Sequence, residues 1–109
     1  EKREVWQVVI EFLRVVARII DQLPRGYSAV GDQLKRASLS IATNIAEGAG
    51  RVTEPDQRRH YGIARGSAME CAALLGACER LAVSDQDAAR QGRSLLLRTV
   101  SMLTKMCRS

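Results

Sequence analysis

Between residues 4 and 23, apolar side chains recur at every third or fourth position: Val5, Val9, Phe12, Val16, Ile19 and Leu23. That spacing gathers all six on one side of an α-helix and would scatter them over both faces of a strand. A second row, Trp6, Ile10, Leu13, Ala17 and Ile20, keeps the same rhythm beside the first. The apolar positions of the segment, these two rows with Val8 and Val15 beside them, cover roughly 220° of the helix, whereas one buried face needs a stripe of roughly 100°. The surplus is either exposed apolar area, which folded surfaces carry in quantity, or a second burial surface. Its width favours the second, a subunit interface made by Trp6, Ile10, Leu13, Ala17 and Ile20.

The rest of the chain repeats the helical rhythm three times, and no stretch alternates with period two, so no sheet is expected. Pro24-Arg25-Gly26 closes the first segment as a turn. A second helix is expected over 28–47, with Ser28 as N-cap and Gly48 and Gly50 ending it. Its core seam is Val30, Leu34, Ala37, Ile41 and Ile45; beside it runs a polar stripe, Gln33, Arg36, Ser40, Asn44, Glu47 and Arg51. A third helix is expected over 54–81, capped by Thr53 with Asp56 three residues on and Pro55 in its first turn. Its seam is Tyr61, Ala64, Ala68, Cys71, Leu75, Cys78 and Ala82, and small residues such as Gly62, Gly66, Ala73 and Gly76 crowd around it. A fourth is expected over 85–106, opened by Ser84 with Asp87 and burying Leu95, Leu96, Thr99, Val100, Met102, Leu103, Met106 and Cys107. The connections are about five residues, which makes neighbouring helices antiparallel. The expected architecture is all-α: residues 1–109 as one antiparallel, up-down-up-down four-helix bundle. Aromatics are 4% of the chain, so the core must be aliphatic.

The sequence argues against several classes of chemistry. Cys71, Cys78 and Cys107 are odd in number and form no Cys-x-x-Cys, against a disulfide framework or zinc site. Cys71 and Cys78 stand about 10 Å apart along one helix face, too far to bridge, and read as buried hydrophobes in a reducing compartment. No secretory leader is recognisable, and Glu11, Arg14 and Arg18 break the first apolar stretch. No run approaches the roughly 20 apolar residues of a membrane span. A cytoplasmic location and no membrane contact are the expectation. His60, the one histidine, has no Cys or second His near it, so no metal is expected; no nucleophile is placed for it either. Gly48-Ala49-Gly50-Arg51 lacks the Gly-Lys-Ser/Thr ending of a phosphate loop. Glu47 and Glu70 fall on consecutive helices and would form a carboxylate site if they converged in an open pocket. Structural carboxylates held by arginine and hydroxyl partners are the favoured reading, with Arg36–Ser40 and Arg51–Glu47 as candidate pairs. No enzyme activity and no cofactor are expected.

Seventeen Lys and Arg against twelve Asp and Glu leave a net charge of +5, which suits polyanion partners as well as plain solubility. The excess lies in the fourth helix and around the second. Arg90, Arg98, Lys105 and Arg108 fall within roughly 80° of one another on the fourth helix, with Ser94 and Ser101 on the same strip. A solvated outer face explains such a strip on one chain; repeated around an assembly, it suits backbone phosphates. Without aromatics on it, base stacking is not expected. Arg90, Arg93, Arg98, Lys105 and Arg108 are the leading candidate nucleic-acid contacts, with Lys35, Arg36 and Arg51 second.

The stretch Arg36-Ala37-Ser38-Leu39-Ser40-Ile41-Ala42-Thr43-Asn44-Ile45-Ala46-Glu47-Gly48-Ala49-Gly50-Arg51 resembles the hallmark of the four-helix bundle proteins encoded by 23S ribosomal RNA intervening sequences. That hallmark reads Arg-Ala-x-x-Ser-Ile-x-x-Asn-Ile-Ala-Glu-Gly, then an Arg. Gly66-Ser67-Ala68-Met69-Glu70 resembles the family's second block, and Val5-Trp6 and Leu23-Pro24 also fit. The resemblance implies a left-handed bundle assembled as a homopentamer. It implies RNA association through the gene context, and structural roles for Arg36, Ser40, Asn44, Glu47, Gly48, Ser67 and Glu70. A more distant likeness is to the accessory proteins of diversity-generating retroelements, basic pentameric bundles that bind nucleic acid and a reverse transcriptase. The functional expectation is a non-enzymatic homo-oligomer that binds RNA or DNA through pooled basic surface. The alternative is a scaffold for a protein partner.

Overall fold

In the computed structural model, which describes residues 2–108, the periodic segments are four α-helices. These are α1 Lys2–Gln22, α2 Ser28–Ala49, α3 Glu54–Arg80 and α4 Gln86–Cys107. Glu1 and Ser109, the ends of the 1–109 unit, lie outside the described residues, among which there is no strand. The radius of gyration, 13.9 Å, is close to the ~13 Å expected of a chain this long. The 45 × 21 × 19 Å envelope follows the long helices.

The helices pack in a closed circuit: α1 and α3 each lie against both α2 and α4, and neither diagonal pair approaches closely. The space between them is filled by Val5, Val9, Phe12, Val15, Ile19, Leu34, Ile41, Leu75 and Leu103, all fully buried. One row of α1 supplies much of this core. The other row stays outside: Trp6 and Ala17 are exposed and Ile10, Leu13 and Ile20 half-buried. The seams also carry polar contacts. Arg65 on α3 donates from Nε to Thr104 Oγ1 on α4 at 2.8 Å, and Arg93 on α4 pairs with Glu79 on α3 at 3.0 Å. Arg18 on α1 donates to Gln91 on α4 at 3.1 Å.

Local chemistry fixes the helix ends, at several points differently from the sequence expectation. Pro24 bars α1 from continuing, and Gly26 turns the chain at φ +97°. The N-cap position of α2 is Tyr27, which makes no side-chain cap bond; Ser28 is already helical. Gly48 does not end α2, which runs through it to Ala49. Thr53 caps α3, its hydroxyl accepting from the Asp56 amide at 3.4 Å. Asp85, not Ser84, caps α4, accepting from the Asp87 amide at 3.0 Å. Ala82 is a correction to the α3 seam: it is exposed, lies beyond the helix end and has φ 57°. There Val83 N–H bonds to Cys78 O and Ala82 N–H to Glu79 O, the paired closure of a helix that ends in a left-handed residue.

Candidate nucleic-acid interface and the α2–α3 polar seam

The polar stripe of α2 meets α3 and continues as a hydrogen-bonded chain. Ser40 Oγ and Ser67 Oγ are 2.8 Å apart. The Asn44 amide nitrogen donates to Ser40 O at 2.9 Å and Ser40 Oγ at 3.2 Å. Asn44 Oδ1 is left to accept, and His60 Nδ1 lies 3.1 Å from it. The His60 proton is thereby placed on Nδ1, and Nε2 accepts from Arg59 Nη2 at 3.1 Å. His60 is 6% exposed, so both ring nitrogens need partners, and both have them. Sequence reasoning missed this role of His60. Its position seven residues before Ser67, on the same side of α3, was the available signal.

Gly48 belongs to the same seam. A Cβ there would lie 2.6 Å from a ring carbon of Tyr61, so the ring lies directly on the α2 backbone. Packing, not capping, requires this glycine. Glu47 ion-pairs with Arg51 at 3.1 Å, and Arg51 also reaches Asp56 at 3.7 Å. Arg36 does not bond Ser40; its side chain makes no ion pair or hydrogen bond. Glu70 is exposed on α3 and likewise without a partner. Since Ser67 faces Ser40 and His60 faces Asn44, Glu70 lies level with Arg36 and Glu47 lies near the level of His60. That separates the two carboxylates by roughly 15 Å along the seam. They do not converge.

Among the described residues no group of three His, Cys, Asp or Glu could hold a metal ion, and no helix is long and apolar enough to cross a membrane. The thiols are buried or half-buried. Burial, and secondarily the charge of Glu70, pushes Cys71 up to about 12. Burial also raises Cys78, with Glu79 adding to the effect, and raises Cys107 against the opposing pull of Arg65.

The basic candidates divide into free and engaged. Arg98 and Lys105 on α4, Arg108 just past its end, and Lys35 and Arg36 on α2 are exposed and make no side-chain ion pair or hydrogen bond. Arg90 keeps a loose 3.5 Å pair with Asp87, both side chains well exposed; such a pair is worth about 0–1 kcal/mol and gives way readily. Arg93 and Arg51 are held by Glu79 and by Glu47 with Asp56. Arg90, Arg98 and Lys105 thus share the exposed side of α4 by helix periodicity, Arg108 follows in extended backbone past its end, and Arg93 and Arg51 are tied into the bundle. Leu97, 74% exposed, stands in the same strip.

The outer row of α1 borders a groove of about 330 Å³ against α2, lined by Leu13, Val16, Ala17, Ile20 and Leu39, with Asp21 and Lys35 at its edge. Further along, Trp6 shares a second hollow with Ile45, Ala46 and Ala49.

Against known proteins, residues 1–105 match the family model described as 23S rRNA-intervening sequence protein. The match takes in α1, α2 and α3 entire and nearly all of α4. No curated protein matches the chain significantly.

Proposed function

This chain belongs to the 23S rRNA-intervening sequence protein family, and on that premise we propose that it is a non-enzymatic, self-associating bundle that binds nucleic acid along the outside of α4. The observation that carries the reading is the free charge there. Arg98, Lys105 and Arg108 have no internal task, and Ser94 and Ser101 offer hydroxyls one turn before and one turn after Arg98. Cations in a row with no base-stacking aromatic contact backbone phosphates and read no sequence. The reading therefore takes RNA and DNA alike, in the reducing cytoplasm that suits three free thiols.

An antiparallel, up-down-up-down course is supported by the order of contacts. Moving up α3 from Arg65 to Glu79 moves back along α4 from Thr104 to Arg93. Moving up α2 from Ser40 to Asn44 moves back along α3 from Ser67 to His60. Self-association is supported by the apolar groove between α1 and α2. The exposed apolar side chains Ile63 and Met69 stand on α3, one of the other two helices. A groove on one helix pair and knobs on the other suit head-to-tail contact, which closes into a ring when the rotation allows. A left-handed bundle in a homopentamer is the form the family resemblance implies. In such a ring each α4 strip would recur, and its field would add.

The test is affinity for a structured RNA against salt. Binding weakens steeply as salt rises, and each of Arg98→Gln and Lys105→Gln lowers the slope of log K against log salt by about 1. Flat salt dependence, or no binding at low salt, sinks the reading. A second reading, a protein-docking scaffold, is favoured by Arg36 and Glu70, exposed and unpartnered at one level about a turn beyond the Ser40–Ser67 contact. It predicts one protein retained after nuclease treatment and released by Arg36→Glu.

A further inference from the structure

Where the first turns of α3 meet the end of α4 there is a cleft of about 160 Å³, apart from the α1–α2 groove and sharing with the α2–α3 seam only the Tyr61 side chain. Its walls are Glu54, Gln57, Arg58, Tyr61, Met106 and Arg108. Tyr61 is 3% exposed, and its hydroxyl is buried with no hydrogen-bond partner. A buried hydroxyl ordinarily has one. Two guanidinium groups share the cleft with it. Arg108 is unpartnered. Arg58, its side chain 29% exposed, is held only by a 3.7 Å pair with Glu54, whose own side chain is 85% exposed.

We propose that this cleft binds a phosphate group. Arg58 and Arg108 present planar, donor-only forks suited to a tetrahedral oxyanion, and the Tyr61 hydroxyl, closed off from solvent at the cleft wall, becomes a neutral donor once the side chains covering it part. Two guanidinium groups and a phenol call for more acceptor oxygens than a carboxylate offers, and the space exceeds that of a single water. Glu54 opposes the anion and competes for Arg58. The site stands apart from the α4 strip except for Arg108, which belongs to both. The phosphate group is that of a nucleic-acid backbone or a free phosphate.

The experiment is thermal unfolding of the full chain with inorganic phosphate, against chloride at equal ionic strength, for the wild type, Tyr61→Phe, Arg108→Gln and Glu54→Gln. A ligand of the folded state raises Tm in proportion to its binding. The expected result is a rise in the wild type that is at least halved in Tyr61→Phe and Arg108→Gln and enlarged in Glu54→Gln. Tyr61→Phe removes a hydroxyl that bonds to nothing in the fold, so that variant folds. A rise equal in all four proteins is the general stabilising action of phosphate salts and overturns the proposal, as does no rise at all. Repeating the series with a 5′-hydroxyl oligoribonucleotide separates the sources. A variant-dependent rise assigns the site to the nucleic-acid backbone. Its absence, with inorganic phosphate still active, assigns it to a free phosphate group. Loss of RNA affinity in Arg98→Gln with the phosphate rise intact keeps this site distinct from the α4 strip.

Discussion

A methyl group on Gly48 has nowhere to go, because its Cβ would stand within 3 Å of two carbons of the Tyr61 ring. An aromatic ring cannot fold aside as a long flexible chain does, so the backbone of α2 must shift. Gly48→Ala is expected to cost about 1–3 kcal/mol in urea-unfolding free energy. Cys71 gives a second prediction at this scale. Its thiol is pushed from 9.0 up to about 12, chiefly by burial, so folding disfavours the thiolate. A group whose folded value is raised stabilises fully below its unfolded value and loses that contribution as pH climbs through the folded one. Unfolding free energy is expected to hold steady below pH 9, fall between pH 9 and 12, and fall less steeply in Cys71→Ala. Urea titrations across that range read it directly. The motif residues read by resemblance as structural resolve one by one. Ser40, Asn44, Ser67 and Gly48 lie in the α2–α3 seam, and Glu47 holds Arg51, whereas Arg36 and Glu70 point outward unpaired. No contact within the bundle accounts for those two.

At the scale of the element, α3 ends as helices ended by glycine do, but with Ala82 in the left-handed position at φ 57°. An L-residue there costs about 1–2 kcal/mol that glycine avoids. Ala82→Gly is therefore expected to stabilise the bundle by about 1 kcal/mol, after part of the gain is offset by glycine's greater freedom in the unfolded chain. Chemical denaturation measures it, and no change or a loss would show that the turn carries no strain. The ends of α2 and α4 illustrate how capping is decided. Ser28 and Ser84 have the right side chains, but Tyr27 occupies the N-cap position of α2 and Asp85 that of α4. Which neighbour takes the cap depends on where the backbone turns, and the seam each helix must fit sets that.

For the molecule as a whole, the decisive surface is the outer row of α1 with the groove beside it. Ala17 is exposed in the bundle, so Ala17→Arg leaves the fold intact while setting a charge in the groove. The expected outcome is a smaller species in sedimentation or light scattering, at unchanged helicity by circular dichroism. A wild type that is itself monomeric would return the outer row of α1 to ordinary exposed apolar area.

Four helices and an aliphatic core follow from the spacing of apolar residues, because a period near 3.6 has one way to bury its stripe. Free thiols and the charge along α4 follow from the same reading, since residues on one helix share a face by periodicity alone. The family, too, was legible in one stretch of α2. What required the tertiary structure was every relation between helices. His60 finds Asn44 across a seam, Tyr61 lies on Gly48, and Arg93 and Arg51 are engaged while Arg98 and Lys105 are free. The physical reason is that periodicity fixes which side of a helix a residue occupies. Which atom of another helix stands opposite depends on register, and register is set by the packing of all four together.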